Sequence, residues 1–155
     1  MQIKEFKRAV AKFPTGVCVI TTNFNKKKWG ITANSFVSVS LVPALVSFCL
    51  DKKSNSFDAF KNSNNFSVSI LAADQAEVSK HFACSIFDKF NEFDYEISKS
   101  GAPLIIGASS FLDCKKYQEI ESGDHYIFIG EVLKTQIDES KSPLVYFAKS
   151  YSEIK

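Results

Sequence analysis

Histidine, tryptophan and methionine are scarce in this 155-residue chain: two His (His81 and His125), one Trp and one Met. The four cysteines, Cys18, Cys49, Cys84 and Cys114, lie far apart with no CxxC pair. Two histidines and dispersed thiols offer no zinc-type ligand set, so no metal is expected. The six glycines are scattered; none forms GxGxxG after a strand, and no P-loop is present, which excludes the two commonest phosphate-cradling turns. No apolar run approaches the ~20 residues of a membrane span. A net charge of +2 gives no electrostatic case for nucleic acid. The charges in "MQIKEFKRAVAKF" rule out a signal h-region. A soluble, cytoplasmic protein with reduced thiols is the expectation.

What is abundant is apolar and aromatic: 45% hydrophobic residues, with 15 Phe. That is material for one core of ring side chains, and the length suits one domain spanning residues 1–155. Ile3, Phe6, Val10 and Phe13 recur at three- and four-residue intervals, predicting an amphipathic helix over residues 3–13 stopped by Pro14 and Gly16. "GVCVITT" reads as a strand, "NFNKKK" as a polar turn, and "WGITANSFVSVS" as the returning hairpin partner. The lysines Lys26–Lys28 then fall on a solvated hairpin tip, in preference to forming an anion site. Pro43 breaks the chain before the buried strand "ALVSFCL"; "NFSVSIL" alternates as a further strand. Residues 74–83 predict a helix with a capping-box-like start at Asp74 and Glu77 and an inward stripe of Val78 and Phe82. Residues 109–120 and 125–137 form a long second hairpin about "ESGD", and "PLVYFAKSY" ends the chain in strand or extended form. About seven strands joined by hairpins, with two principal helices, favour an antiparallel barrel or sandwich.

Three stretches could carry chemistry. "GITANSFVSVS" clusters hydroxyls and an amide where a strand leaves the sheet, able to bond the polar edge of a flat ligand or simply to wet one barrel face. "DKKSNSFDAF" places Lys52, Lys53, Ser54 and Ser56 before a short helix, where phosphate is favoured, or where the serines only cap. His125, after Gly123 and Asp124, starts an apolar strand and is either structural or a donor to a ligand over the sheet end. No Ser–His–Asp, Cys–His or paired-carboxylate arrangement can be assembled, so redox or transfer chemistry would fall to an organic cofactor.

Taken in order, "FPTGVCVITT", "WGITANSFVSVSLVPALVSFCLDKKS", "NFSVSILAADQAEVSKHFA", "GDHYIFIGEV" and "PLVYFAKSY" resemble the flavin reductase family of FMN-binding split barrels. The resemblance implies a mainly β fold, an antiparallel split β-barrel with flanking helices. It implies NAD(P)H:flavin oxidoreductase activity, with FMN or FAD as flavin and NADH or NADPH as co-substrate. A homodimer and a flavin-dependent monooxygenase partner are implied as well. By position, Thr32, Ala33, Asn34, Ser35, Ser38 and Val39 would line the flavin ring and ribityl chain. Lys53 and Ser54, with Ser56 and Phe57, would receive its phosphate. Phe82 and Ala83 would close over it, Tyr146 would lie near the ring, and His125 would serve the nicotinamide side. The chain departs from the family at Ala148 and Lys149, where relatives often carry an arginine after "YF", and at "LVPALV", which lacks a second proline. A flavin carrier without reductase activity is the alternative on the same scaffold.

Overall fold

A computed structural model describes residues 1–86 and 88–154. Twelve strands and three helices follow one another among these residues: α1 (Ile3–Val10), β1 (Thr15–Gly16), β2 (Cys18–Phe24), β3 (Lys27–Ala33), β4 (Val37–Leu41), β5 (Ala44–Asp51), α2 (Phe57–Asn62), β6 (Asn65–Ile70), α3 (Ala76–Ala83), β7 (Tyr95–Ile97), β8 (Pro103–Ile105), β9 (Ser110–Ser122), β10 (His125–Ile137), β11 (Val145–Phe147) and β12 (Ser150–Ser152). Seven strands make one antiparallel sheet in the order β3-β2-β6-β9-β10-β5-β4. Its two edge strands, β3 and β4, are consecutive in the chain and joined only by Asn34–Phe36. The sheet therefore curls until its edges meet at that connection: a barrel left open along one seam, as the sequence resemblance implied.

The seam exists because β4 is short. It pairs with β5 from Val37↔Ser47 to Leu41↔Ala44, leaving Phe48–Asp51 of β5 with no partner on that side. The expected single strand over residues 29–40 is thus two, because Asn34–Phe36 must turn from one edge of the sheet to the other. This break, the short pairs β1–β11–β12 and β7–β8, and the division of the tail into β11 and β12 about Ala148 and Lys149, both at positive φ, raise the strand count above seven.

Two apolar clusters use the two faces of the sheet. Alternation along β2 sends Cys18 and Ile20 into the barrel and Val19 outward. Inside, Phe48 meets Phe66, Phe60 and Phe128 at ring-centroid distances of 5.1, 5.5 and 5.3 Å. Gly130 is needed here: a Cβ on it would lie 2.3 Å from the Phe66 ring, so a strand glycine marks the close approach of an aromatic. Outside, Val78 and Phe82 of α3 cover Val19, Leu71 and Ile105, the inward stripe the spacing predicts. That helix starts at Ala76 after Gln75, with no side-chain cap bond. The capping box at Asp74 does not form, because Gln75 instead takes the Ala72 amide and donates to the Ile106 carbonyl.

Burial in these clusters pushes the Cys18 and Cys114 thiols up to about 12, so neither is a nucleophile at neutral pH. Cys49 is half-buried and Cys84 exposed, and all four thiols are free. The apolar stripe of α1 is not buried: Ile3, Phe6, Val10 and Phe13 are 74%, 52%, 55% and 74% exposed. Its periodicity makes a helix, over Ile3–Val10, but no residue of it is buried against the other described residues. No helix among the described residues is long and apolar enough to cross a membrane.

Candidate functional site

The open seam is a cavity of about 700 Å³, within the range that holds small molecules and cofactors. One side is the free edge of β3. Opposite it stand the end of β5, the turn after it and His125; the end of α3 and the segment beyond it form the third side.

At the narrow end the two sides are stitched together. The Ser35 hydroxyl accepts from the Cys49 amide at 2.9 Å and reaches the Cys49 carbonyl at 3.4 Å. It thereby occupies the backbone groups that β4 would have paired. Thr32 donates to the Ser79 carbonyl at 2.6 Å, fastening β3 to α3. Two of the hydroxyls in "TANS" are therefore engaged in holding the seam. Asn34 is exposed and borders the cavity. Its carboxamide, with donor and acceptor in one plane, has no protein partner among the described residues.

The wide end is shaped by a tight turn. Asp51 accepts from the Lys53 amide through its carboxylate at 2.8 Å and from the Ser54 amide through its carbonyl at 3.0 Å. These bonds present Lys53, Ser54 and Ser56 to the cavity. The helix that follows, α2, has six residues, and Ser56 at its N-cap makes no side-chain bond to it. His125 pairs with Asp51 across β10 and β5. Its Nδ1 lies 2.7 Å from the Asp124 carboxylate, and this hydrogen bond holds the Asp124 carboxyl below its ordinary range. A carboxylate only accepts, so Nδ1 carries the proton, leaving Nε2 as the second ring nitrogen to meet a ligand.

Lys89, in a segment with no legible pattern, is the residue that sequence reasoning missed. Its ammonium donates to the Gly30 carbonyl at 2.9 Å and to the Phe82 carbonyl at 2.8 Å. It thus occupies an unpaired edge group of β3 and the end of α3 at once. Burial lowers its pKa. Nearby, His81 Nε2 lies 2.9 Å from the Lys89 carbonyl, so His81 steadies the same wall.

Ten of the sequence-derived candidates border this cavity: Thr32, Ala33, Asn34, Ser35, Lys53, Ser54, Ser56, Phe82, Ala83 and His125. Four do not. Ser38 and Val39 sit on β4, exposed beyond the seam. Phe57 packs edge-on against Tyr126 inside the barrel, and Tyr146 packs on Tyr151 in the β11–β12 pair. The cationic residues of the lining are Lys27, Lys28, Lys53 and Lys89, against Asp51 as the acid among the described residues. The cavity fits a flat, polar-edged molecule with an anionic tail, which is what a flavin nucleotide is.

The family model described as "Flavin reductase like domain" matches residues 10–155. A flavin reductase of Pseudomonas putida is 37% identical over 147 residues, covering 94% of this chain and 86% of that protein. The reductase component of the flavin-dependent trigonelline monooxygenase of Acinetobacter baylyi is 41% identical over 132 residues, 84% of this chain and 43% of its own length. The structure of the Streptomyces globisporus NADH:FAD oxidoreductase with NAD and FAD fragments superposes with a TM-score of 0.94 at 35% identity, covering 98% of this chain and 92% of that one. This chain belongs to the flavin reductase-like domain family.

Proposed function

We propose that this chain is an NAD(P)H-dependent flavin reductase whose flavin lies in the barrel seam. The observation that carries the reading is the seam itself. It brings the unengaged Asn34 amide, the Lys53–Ser54 turn and His125 onto one cavity. FMN or FAD, bound there, supplies the acceptor for the hydride that NADH or NADPH donates. Every other task belongs to the protein. The Asn34 carboxamide and the stitched edge at Ser35 hold the ring plane. Lys53 and Ser54 hold the phosphate by charge-assisted hydrogen bonds, which are the stronger kind. Phe82 and Phe90 give the cavity an apolar wall that excludes water, and Lys89 pins that wall. Positioning of this kind is a catalytic contribution in itself. His125 orients the nicotinamide carboxamide through Nε2, fixed by its bond to Asp124.

Relatives that serve as reductase components support the further reading that the reduced flavin is passed to a monooxygenase. The bare apolar stripe of α1 supports a homodimer, since exposed patches of this kind mark contact surfaces. Sedimentation equilibrium is expected to give twice the chain mass. Four unpaired thiols fit a reducing, cytoplasmic setting.

The test is an anaerobic mixture of protein, FMN and NADH or NADPH, followed by flavin absorbance. Bleaching far faster than without protein is expected with at least one nucleotide. His125→Ala is expected to slow it about 3- to 30-fold, the loss of one neutral hydrogen bond or somewhat more, with FMN affinity unchanged. Flavin that binds but is reduced by neither nucleotide would leave a carrier instead.

A further inference from the structure

We propose that the cleft between α1 and the β11–β12 turn is a binding site for a polyphosphate anion, separate from the seam. The cleft measures about 620 Å³, within the range of small-molecule sites. Lys4, Lys7, Arg8 and Lys12 border it on one side and Lys149 on the other. No residue borders both this cleft and the seam, so the proposal does not depend on the flavin reading.

A helix lying on its own domain turns its apolar stripe inward and its charges to water. Here the reverse holds. Lys4, Lys7, Arg8 and Ala11 recur at i, i+3, i+4 and i+7, which is one face of a helix. Ala11, whose amide still bonds the Lys7 carbonyl at 3.1 Å, is half-buried, whereas residues 3–10 are exposed. The cationic face is therefore the one nearest the body of the chain, and Phe6, Val10 and Phe13 do not border the cleft. Lys149 meets that face from the two-residue turn Ala148–Lys149, which joins Phe147 to Ser150. Both turn residues hold positive φ, 48° and 68°, a backbone that side chains rarely adopt and that persists only where the surroundings impose it.

Among the described residues, none of these five cations is in an ion pair or a side-chain hydrogen bond. No acid borders the cleft either; Glu5, the acid of α1, lies off it. Like charges drawn around one concavity repel one another, and an anion between them removes that cost. A singly charged anion leaves most of the five uncompensated. A polyphosphate carries several charges and many acceptor oxygens on one chain, enough to meet both walls by charge-assisted hydrogen bonds, with the Arg8 fork matched to phosphate geometry. Ile3, Ala11 and Ala148 complete the lining. With no aromatic among the described lining residues, no ring is offered for a base to stack on, so the phosphate chain is the part recognised.

Tripolyphosphate, titrated by calorimetry into the protein at constant ionic strength, is expected to bind saturably. Lys7→Ala/Lys149→Ala, which removes one cation from each wall, is expected to bind it about tenfold more weakly. Lys115→Ala/Lys134→Ala, which removes the same charge from exposed positions of β9 and β10, should stay within about twofold of wild type. ATP separates a free polyphosphate from a nucleotide: affinity within about threefold of tripolyphosphate means that the chain alone is read, and much tighter binding means that a nucleoside contributes. Either result supports the site. Absence of saturable binding, or an equal loss in the two double variants, would overturn it. So would competition by FMN, which would place the anion at the Lys53 turn of the seam. Protein that binds tripolyphosphate but no FMN would strike the flavin reading and leave this site standing.

Discussion

Phe48→Ala lowers the unfolding free energy by about 3–5 kcal/mol, the range for deleting a fully buried ring. Phe48 is 0% exposed and sits in the middle of the barrel interior. It makes edge contacts with Phe66 and Phe60 and a near-parallel contact, at 17°, with Phe128. Its strand, β5, also forms one lip of the seam, and its partner Phe66 fills the space opposite Gly130. The hole left by alanine therefore has rings on three sides that cannot all move inward. Domains commonly have only about 5–15 kcal/mol to lose, so urea unfolding should move to a much lower midpoint with little change in slope. Phe48→Leu keeps most of the volume and should cost under about 2 kcal/mol. An alanine variant within about 1 kcal/mol of wild type would show that the inner cluster is not the core of the fold.

The second large effect is on binding. Lys53→Ala/Ser54→Ala is expected to weaken FMN by about 10- to 100-fold, since a hydrogen bond to a charged group contributes about 1.5–3 kcal/mol. Riboflavin, which has the same ring and no phosphate, should bind wild type and variant within about twofold of each other. The fold should survive the change. Lys53 is exposed, Ser54 Oγ receives only a long 3.3 Å bond from the Ser56 amide, and the bonds that the Lys53 and Ser54 amides donate to Asp51, which set the turn, remain. Equal losses for FMN and riboflavin would mean that the turn shapes the cavity but does not meet the phosphate.

The principal strands and the antiparallel sheet were legible in the sequence because alternation and hairpin turns state them directly, but the single core expected there is two clusters on the two faces of the sheet. Also legible was the gathering of "TANS", "DKKS" and "GDH", by resemblance to relatives and not by any local signal. Alternation does fail at Asn34–Phe36, where two polar residues are followed by Phe36 and Val37, but that irregularity alone did not divide the strand; the meeting of the two sheet edges forces the turn. Lys27 and Lys28 read as a solvated tip because composition cannot say which residues of "NFNKKK" occupy the turn. Two positive-φ residues at Asn25 and Lys26 decide that and move the lysines into the cavity wall. Lys89 had no signal of any kind: its work is to satisfy two carbonyls orphaned by tertiary structure. The stripe on α1 was visible as amphipathic, but a period names a face and not its partner. Thr32 and Ser35 show the opposite case, hydroxyls conspicuous in the sequence that the fold uses internally to hold the seam.

The most direct measurement is the structure of the protein with FMN. The tricyclic ring is expected to lie along the Thr32–Ser35 edge within hydrogen-bond distance of the Asn34 amide, with the phosphate between Lys53 and Ser54. A flavin bound elsewhere on the molecule, with the seam empty, would contradict the account.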